Sequence, residues 1–202
     1  MDQHISLSIL TPAVPSRINQ VSALHSELAR QIGDLPVENL VLLDNKRRTV
    51  GEKRDALLRA ARGDYVAFVD DDDWIAPDYV DSLIRAIHNQ PDVVTFLQQA
   101  TVNGETFNVE FSLGNVNEMQ NGTKTIKRNA WHVCAWRRTL AILSHFPAIN
   151  YGEDWVYASK LCALSGLTSK HIPKVLHYYR HSSTTTEAPA PTALRSDFIC
   201  TR

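Results

Sequence analysis

Short apolar runs alternate with stretches of helical spacing through the first hundred residues, and this alternation limits the folds available to the chain. Ile5-Ser6-Leu7-Ser8-Ile9-Leu10 alternates apolar and polar residues before Thr11-Pro12, the pattern of a strand ending in a loop. Residues 17–32 carry Ile18, Val21, Leu24, Leu28 and Ile32 at roughly helical spacing, with Gly33 placed to end the helix. Leu40-Val41-Leu42-Leu43 is wholly apolar and stops at Asp44, which predicts a buried parallel strand. A charged loop over 45–50 leads into a second helical stretch over 53–61, closed by Gly63. Tyr65-Val66-Ala67-Phe68-Val69 is a third apolar run; helical spacing resumes over 77–87, and 92–96 reads as a fourth strand. Strand and helix in alternation predict an α/β fold, a mostly parallel sheet covered by helices. In such sheets ligands bind at the carboxyl ends of the strands. Thr11, Asp44 and Asp70 all stand at those ends.

The second half is less regular. Residues 97–128 hold Gly104, Gly114, Gly122 and several Asn, consistent with hairpins or long loops. Residues 131–143 fit a helix or a partly extended segment, 155–164 a helix introduced by Gly152-Glu153-Asp154, and 175–179 a last strand. The chain thus divides into a first half over 1–100, a second half of the same domain over 101–181, and a Ser/Thr/Pro-rich tail over 182–202. At 202 residues, 44% hydrophobic and 21% charged, it has the composition of one globular domain. A net charge of −1 gives no global attraction to nucleic acid or anionic membrane. Three cysteines without a CxxC pair point to a reducing compartment. There is no signal-peptide pattern and no apolar run of transmembrane length, so the expectation is a soluble cytoplasmic protein in which the sequon at Asn121 is chance.

Asp70-Asp71-Asp72-Asp73 follows directly on a strand-like run, where four carboxylates are costly unless something positive sits nearby. A hard divalent cation with oxygen ligands is one solution, and Asp70 and Asp72, two apart, can face one ligand site. The alternative is a solvated acidic run in which Asp73 or Asp78 caps the following helix.

Gly51-Glu52-Lys53-Arg54, followed by the segment from Ala60 through Arg62-Gly63-Asp64 to Asp70-Asp71-Asp72-Asp73-Trp74, resembles the central segment of glycosyltransferase family 2. The resemblance runs from about Ile5 to Ile87 and, more weakly, through Gly152-Glu153-Asp154-Trp155. It implies a GT-A fold as a single compact domain with helices on both faces of the sheet. It also implies metal-dependent, mostly inverting transfer of a sugar from a nucleotide sugar, here a UDP-sugar, with Mn2+ or Mg2+ as cofactor. Thr11, Pro12 and Arg17 match the family's first nucleotide-binding loop, Asp44 its base-binding acid, and Arg54 a basic residue near the base and diphosphate. Asp70 and Asp72 match the DxD motif, with Asp72 on the metal. Asp71, where the family more often has Ser or Ala, is either a further donor contact or surplus charge facing solvent. Asp55 stands where the family often has Asn.

An inverting transfer needs one base to take the acceptor's proton. The resemblance assigns this to Asp154, with Glu153 in support; on the residues alone, both acids equally suit a helix N-terminus. His132 and Trp155 are candidates for the acceptor side, ahead of Trp131 and Trp136, although each aromatic also suits a core. His177 or His181 answers to the late histidine that some family members place on the metal. Arg47, Arg48 and Arg59 read as a solvated basic face. A nucleotidyltransferase or pyrophosphorylase is the rival enzyme, but these usually carry a Gly-rich loop where this chain has Thr11-Pro12-Ala13-Val14-Pro15. A non-catalytic nucleotide-sugar-binding relative is the other alternative. The acceptor stays open among glycan, lipid-linked sugar, protein and modified nucleic-acid base, and an oligomer or partner could complete its site.

Overall fold

The computed structural model describes residues 4–116, 118–120 and 122–181; the predicted tail over 182–202 and Asn121 lie outside the described residues. In chain order the elements are β1 (Leu7–Ala13), α1 (Ile18–Ile32), β2 (Val37–Leu43), α2 (Val50–Ala60), β3 (Tyr65–Phe68), β4 (Trp74–Ile75), α3 (Tyr79–Ile87) and β5 (Val93–Val102). There follow β6 (Glu105–Phe111), β7 (Glu118–Met119), β8 (Thr125–Arg128), β9 (Ala135–Arg137), α4 (Arg138–Ser144), α5 (Glu153–Cys162) and β10 (Ser169–His181). The alternation expected for the first hundred residues is present. β5 runs on through residue 102, however, so the boundary drawn at residue 100 falls inside a strand.

β1 pairs in parallel with β2 on one side and with β3 on the other. The two connections therefore travel in opposite directions, and right-handed crossovers place α1 and α2 on opposite faces of the sheet. In agreement, α1 packs with α3, while α2 packs with α4 and α5. β9 is antiparallel to both β3 and β5, so β5 runs with β1 and β3. β10 runs parallel to β5 along its length, which leaves β5's other edge to β9 and then β6. The result is a mixed sheet whose principal strands run one way, with helices on both faces. The strand order reverses at β1, and in open α/β sheets that is where a ligand crevice opens beyond the strand ends.

Two sequence expectations change here. β2 is parallel as predicted but sits at the end of the sheet, so Val41 and Leu43 are exposed rather than buried. β1 does not end in a loop at Thr11-Pro12: pairing with β2 continues through Ala13↔Leu43 and buries Thr11 in the strand. The hairpin between β5 and β6 turns on Asn103 and Gly104, both at positive φ, as an Asn-Gly pair favours.

Trp136, Tyr79, Tyr157, Phe68, Phe96 and Phe111 are the largest fully buried side chains. Each such burial contributes about 1.5–3 kcal/mol before entropy is counted. Phe68 meets Phe146 edge-on and Phe146 stacks on Tyr157 at 3.9 Å, which ties the strand before the acids to α5.

α2 begins with a capping box. Thr49 accepts the Glu52 N–H, and Glu52 accepts the Thr49 N–H in return. Its first turn is clamped to the segment before α5: the Gly51 N–H donates to the Ile149 carbonyl at 3.1 Å and the Val50 N–H to Asn150 Oδ1 at 3.1 Å. A Cβ on Gly51 would lie 1.8 Å from the Pro147 carbonyl oxygen, a backbone atom that cannot swing away. Gly51→Ala is therefore expected to cost about 1–3 kcal/mol through overpacking. That corresponds to a melting temperature lower by roughly 3 °C or more, and an unchanged melting curve would contradict the tight approach.

Candidate active site

A cleft of about 990 Å³ opens at the carboxyl ends of β1 and β3. Its lining brings together the sequence-predicted site residues Pro12, Arg17, Arg54, Asp70, Asp71, Asp72, His132, Glu153, Asp154 and Trp155, and adds Asp73, which the sequence offered only as a helix cap. Among the described side chains three predicted residues are not in the lining: Thr11, Asp44 and His177. Thr11 is buried in β1, with its hydroxyl unpartnered. Asp44 stands at the end of β2, but its carboxylate folds the next loop by accepting the N–H groups of Arg47 (2.7 Å) and Arg48 (3.2 Å). That loop brings Lys46, Arg47 and Arg48, all of them exposed, into the cleft lining, so the solvated basic face expected for Arg47 and Arg48 borders the cleft. Arg59 does point away, paired with Asp55 at 2.7 Å, and this contact also accounts for Asp55.

The four aspartates take four different positions. Asp70 accepts a hydrogen bond from Arg54 at 2.8 Å through Oδ2, while its buried Oδ1 has no partner. Asp71 does not face solvent: it is buried and accepts the Val14 N–H at 2.9 Å and Arg17 at 2.6 Å. Asp72 meets the other branch of Arg17 at 3.1 Å. Asp73 is buried against β10, accepting the Arg180 N–H at 3.4 Å, with His177 Nε2 3.5 Å from its Oδ2. Asp73 is therefore no helix cap. Asp78 holds the N-cap position of α3, where its carboxylate accepts from Ser82 at 3.0 Å and pairs with Lys174 rather than capping an N–H.

Burial makes Asp71, Asp72 and Asp73 reluctant to ionise. The Asp72 carboxyl is pushed up to about 6 by burial and by Asp70, with Arg17 opposing. Asp71 is raised by burial against the pull of Arg17, and Asp73 is raised well above the usual range by burial and then by Asp70 and Asp72. An acid cluster short of positive charge, with an unpartnered buried oxygen on Asp70, fits a hard divalent cation. Among the described residues no three His, Cys, Asp or Glu side chains are gathered as a ready cage.

Arg54 crosses the cleft floor. Nine-tenths buried and more, it meets Asp70 at 2.8 Å on one side and Glu153 at 3.3 Å on the other, with Phe68 and Phe146 against its guanidinium. Glu153 is buried, and burial pushes its carboxyl up to about 7 although Arg54 pulls it down. Asp154 is more open. Its Oδ2 accepts the Trp131 indole N–H at 3.3 Å and its Oδ1 the Trp155 N–H at 2.7 Å. Gly152, at φ 79°, adopts the left-handed turn that starts α5 and presents both acids in its first turn.

His132 is buried between Phe68 and Trp131, with neither ring nitrogen hydrogen-bonded and Nδ1 3.8 Å from Asp154. Burial, then Arg54, His177 and Arg128, hold it well below the usual histidine range, so it is neutral and the contact with Asp154 is not an ion pair. His177 is fully buried beside Gln98 (2.9 Å) and is not in the lining; burial holds it down at about 4. The side chain of His181 lies outside the described residues. Trp136 is core, its indole N–H donating to the Trp131 carbonyl, whereas Trp155 is 45% exposed on the rim.

Sequence reading missed Lys53, Arg128, Gln98 and Tyr179, which also line the cleft. Lys53, beside Arg54 in the same short motif, donates to the Ala13 carbonyl at 3.4 Å. Arg128 lies over the Trp131 ring at 3.9 Å; it ends a strand in the irregular half, where no pattern flags it.

A family model described as "Glycosyl transferase family 2" matches residues 26–144, more than half the chain. This stretch contains Arg54 and the four aspartates; Arg17, Glu153 and Asp154 lie beyond it. The chain is 33% identical over 64 residues to "Putative glycosyltransferase EpsH" of Bacillus subtilis (strain 168), covering 28% of this chain and 19% of that protein. The structure of S. aureus TarS 1-349 in complex with UDP aligns at a TM-score of 0.65 and 18% identity, covering 88% of this chain and 61% of that one. Its complex with UDP-GlcNAc gives 0.66 and 17%, covering 92% and 60%. At that identity the likeness speaks to the fold, and this chain spans about three-fifths of those structures. No helix among the described residues is long and apolar enough to cross a membrane.

Proposed function

This chain belongs to glycosyl transferase family 2, and we propose that it carries out metal-dependent, inverting transfer of a sugar from a UDP-sugar to an acceptor hydroxyl. The observation that carries this reading is Arg54, which links the strand-end acids to the Gly152-Glu153-Asp154 turn across one cleft. Donor-binding charge and a reachable carboxylate thereby face each other. The UDP and UDP-GlcNAc complexes of TarS, a protein of like fold, support a uridine nucleotide donor.

In this reading Pro12, Arg17 and the loop of Lys46, Arg47 and Arg48 receive the nucleotide, and Arg54 helps carry the negative charge of the departing diphosphate. Asp70 and Asp72 would hold Mn2+ or Mg2+, which supplies further charge neutralisation of that leaving group. Asp154 takes the acceptor's proton as the hydroxyl attacks the anomeric carbon, and the bond to the diphosphate breaks on the opposite face. Glu153 holds Arg54 in place. His132, neutral and with both nitrogens unpartnered, offers a hydrogen bond to a sugar hydroxyl without competing for the proton.

Calorimetry with UDP, with and without Mn2+, tests the donor side. Wild type is expected to bind UDP about tenfold or more tightly with Mn2+, and Asp72→Ala to lose that gain. Equal binding by both proteins, or by neither, would count against the reading.

A further inference from the structure

We propose, resting on the transferase reading above, that the acceptor is an uncharged glycan at least two sugars long. Its second sugar would occupy a smaller cleft of about 220 Å³ that shares Trp131 and Trp155 with the main one.

Position is the first argument. The Asp154 carboxylate holds the Trp131 indole and the Trp155 backbone, so a hydroxyl within reach of Asp154 comes in beside these two aromatics. Both also wall the small cleft, which places it next in line for whatever is attached to that hydroxyl's ring.

Charge is the second. The main cleft is rich in Lys, Arg and Asp. Among the described residues the small one is lined, besides the two Trp, by Asn115, Asn129, Ser159 and Cys162, with Val116, Ala130 and Ala158 completing it, and none of these is a charged side chain. Burial pushes the Cys162 thiol up to about 12, so it too stays neutral. A polyanionic acceptor would call for Lys or Arg along its path; Arg128 stands over the Trp131 ring, but Arg17, Lys46, Arg47, Arg48, Lys53 and Arg54 lie with the donor-side acids in the main cleft. Aromatic faces beside amides and a hydroxyl suit a sugar ring, which has apolar C–H faces and hydroxyls at its edge.

Preorganisation is the third. Asn129 Oδ1 accepts the N–H groups of Gly114 (3.3 Å) and Ala130 (2.9 Å), and Asn115 Nδ2 donates to the Glu110 backbone carbonyl at 3.2 Å. Both amides are thus fixed before any ligand arrives. Trp155 at 45% and Val116 at 65% exposure leave apolar surface on the rim that the fold itself does not need.

The test is calorimetric titration of the full chain, wild type and Ser159→Arg. The probes are mono- and tetrasaccharides of β-1,4-glucose, α-1,4-glucose, β-1,3-glucose and β-1,4-N-acetylglucosamine, together with polygalacturonate and oligo(dT). At least one neutral tetrasaccharide is expected to bind wild type about tenfold or more tightly than its monosaccharide, and Ser159→Arg, which places a long charged side chain in the small cleft, to erase that gain. The proposal is overturned if no tetrasaccharide outbinds its monosaccharide, if the gain survives Ser159→Arg, or if polygalacturonate or oligo(dT) binds tightest. A UDP titration of the same two proteins reads the donor side separately. If UDP fails to bind while the length gain holds, the donor reading falls and the glycan site stands.

Discussion

Asp154→Asn is expected to slow sugar transfer by about a thousandfold while leaving UDP binding within roughly twofold, because a positioned general base contributes on the order of 10²–10⁴ in rate. The substitution keeps the shape of the side chain, and an amide oxygen can still accept the Trp131 indole N–H or the Trp155 backbone N–H, so the turn into α5 should persist. What is lost is the ability to hold a proton. The neighbouring acid cannot take over. Glu153 is buried, holds its own proton up to about 7 and faces Arg54, whereas Asp154 is 30% exposed and lines the cleft. Release of UDP from a UDP-sugar in the presence of acceptor, measured beside UDP calorimetry, checks both halves of the expectation. An Asp154→Asn enzyme within tenfold of wild type would remove Asp154 from the role of base.

The parts of this site that could be read from the sequence are those where one local pattern fixes both backbone and chemistry. The apolar run over 65–69 has to become a strand, and whatever follows it has to emerge at a carboxyl end, so the position of the acids was open to inference. The fates of the four acids were not. Asp71 is buried because the Val14 N–H and Arg17, more than fifty residues earlier, close over it, and spacing along the chain says nothing about such a partner. Thr11 and Asp44 show the opposite failure. Both stand near strand ends, but pairing with β2 carries β1 past Thr11, and the charged loop wraps its own N–H groups onto Asp44. Arg128 is positioned by pairing of β6 with β8, a parallel pair formed across an irregular segment that no periodicity announces. Gly51 was quoted only as part of a motif. Its reason is tertiary: the loop before α5 passes so close that no side chain fits, and that contact brings Arg54 to Glu153.

Arg54→Met is expected to destabilise the fold by about 3–5 kcal/mol, the range for removing one partner of a buried ion pair and leaving the other charge uncompensated. The loss should also depend on pH in a definite direction. In the intact protein burial raises the Glu153 carboxyl from 4.5 to about 7 against the opposing pull of Arg54. The folded chain therefore keeps a proton that the unfolded chain releases between those values. Its contribution to stability is full below about 4.5 and is lost as the pH climbs to about 7. Without Arg54 the downward pull disappears, the folded carboxyl rises further, and the loss continues above that range. Asp70 likewise loses its 2.8 Å partner. Urea denaturation should then show Arg54→Met falling further behind wild type at pH 8 than at pH 5, and a gap that narrows with rising pH would refute this account of the pair. Arg54→Lys is expected to recover only part of the loss, since one ammonium cannot reproduce the fork that meets Asp70 on one side and Glu153 on the other. The same fork joins the donor-side acids to the turn carrying Asp154, so transfer activity in Arg54→Lys should fall by about tenfold or more even where the protein is folded, with UDP affinity and turnover both reduced.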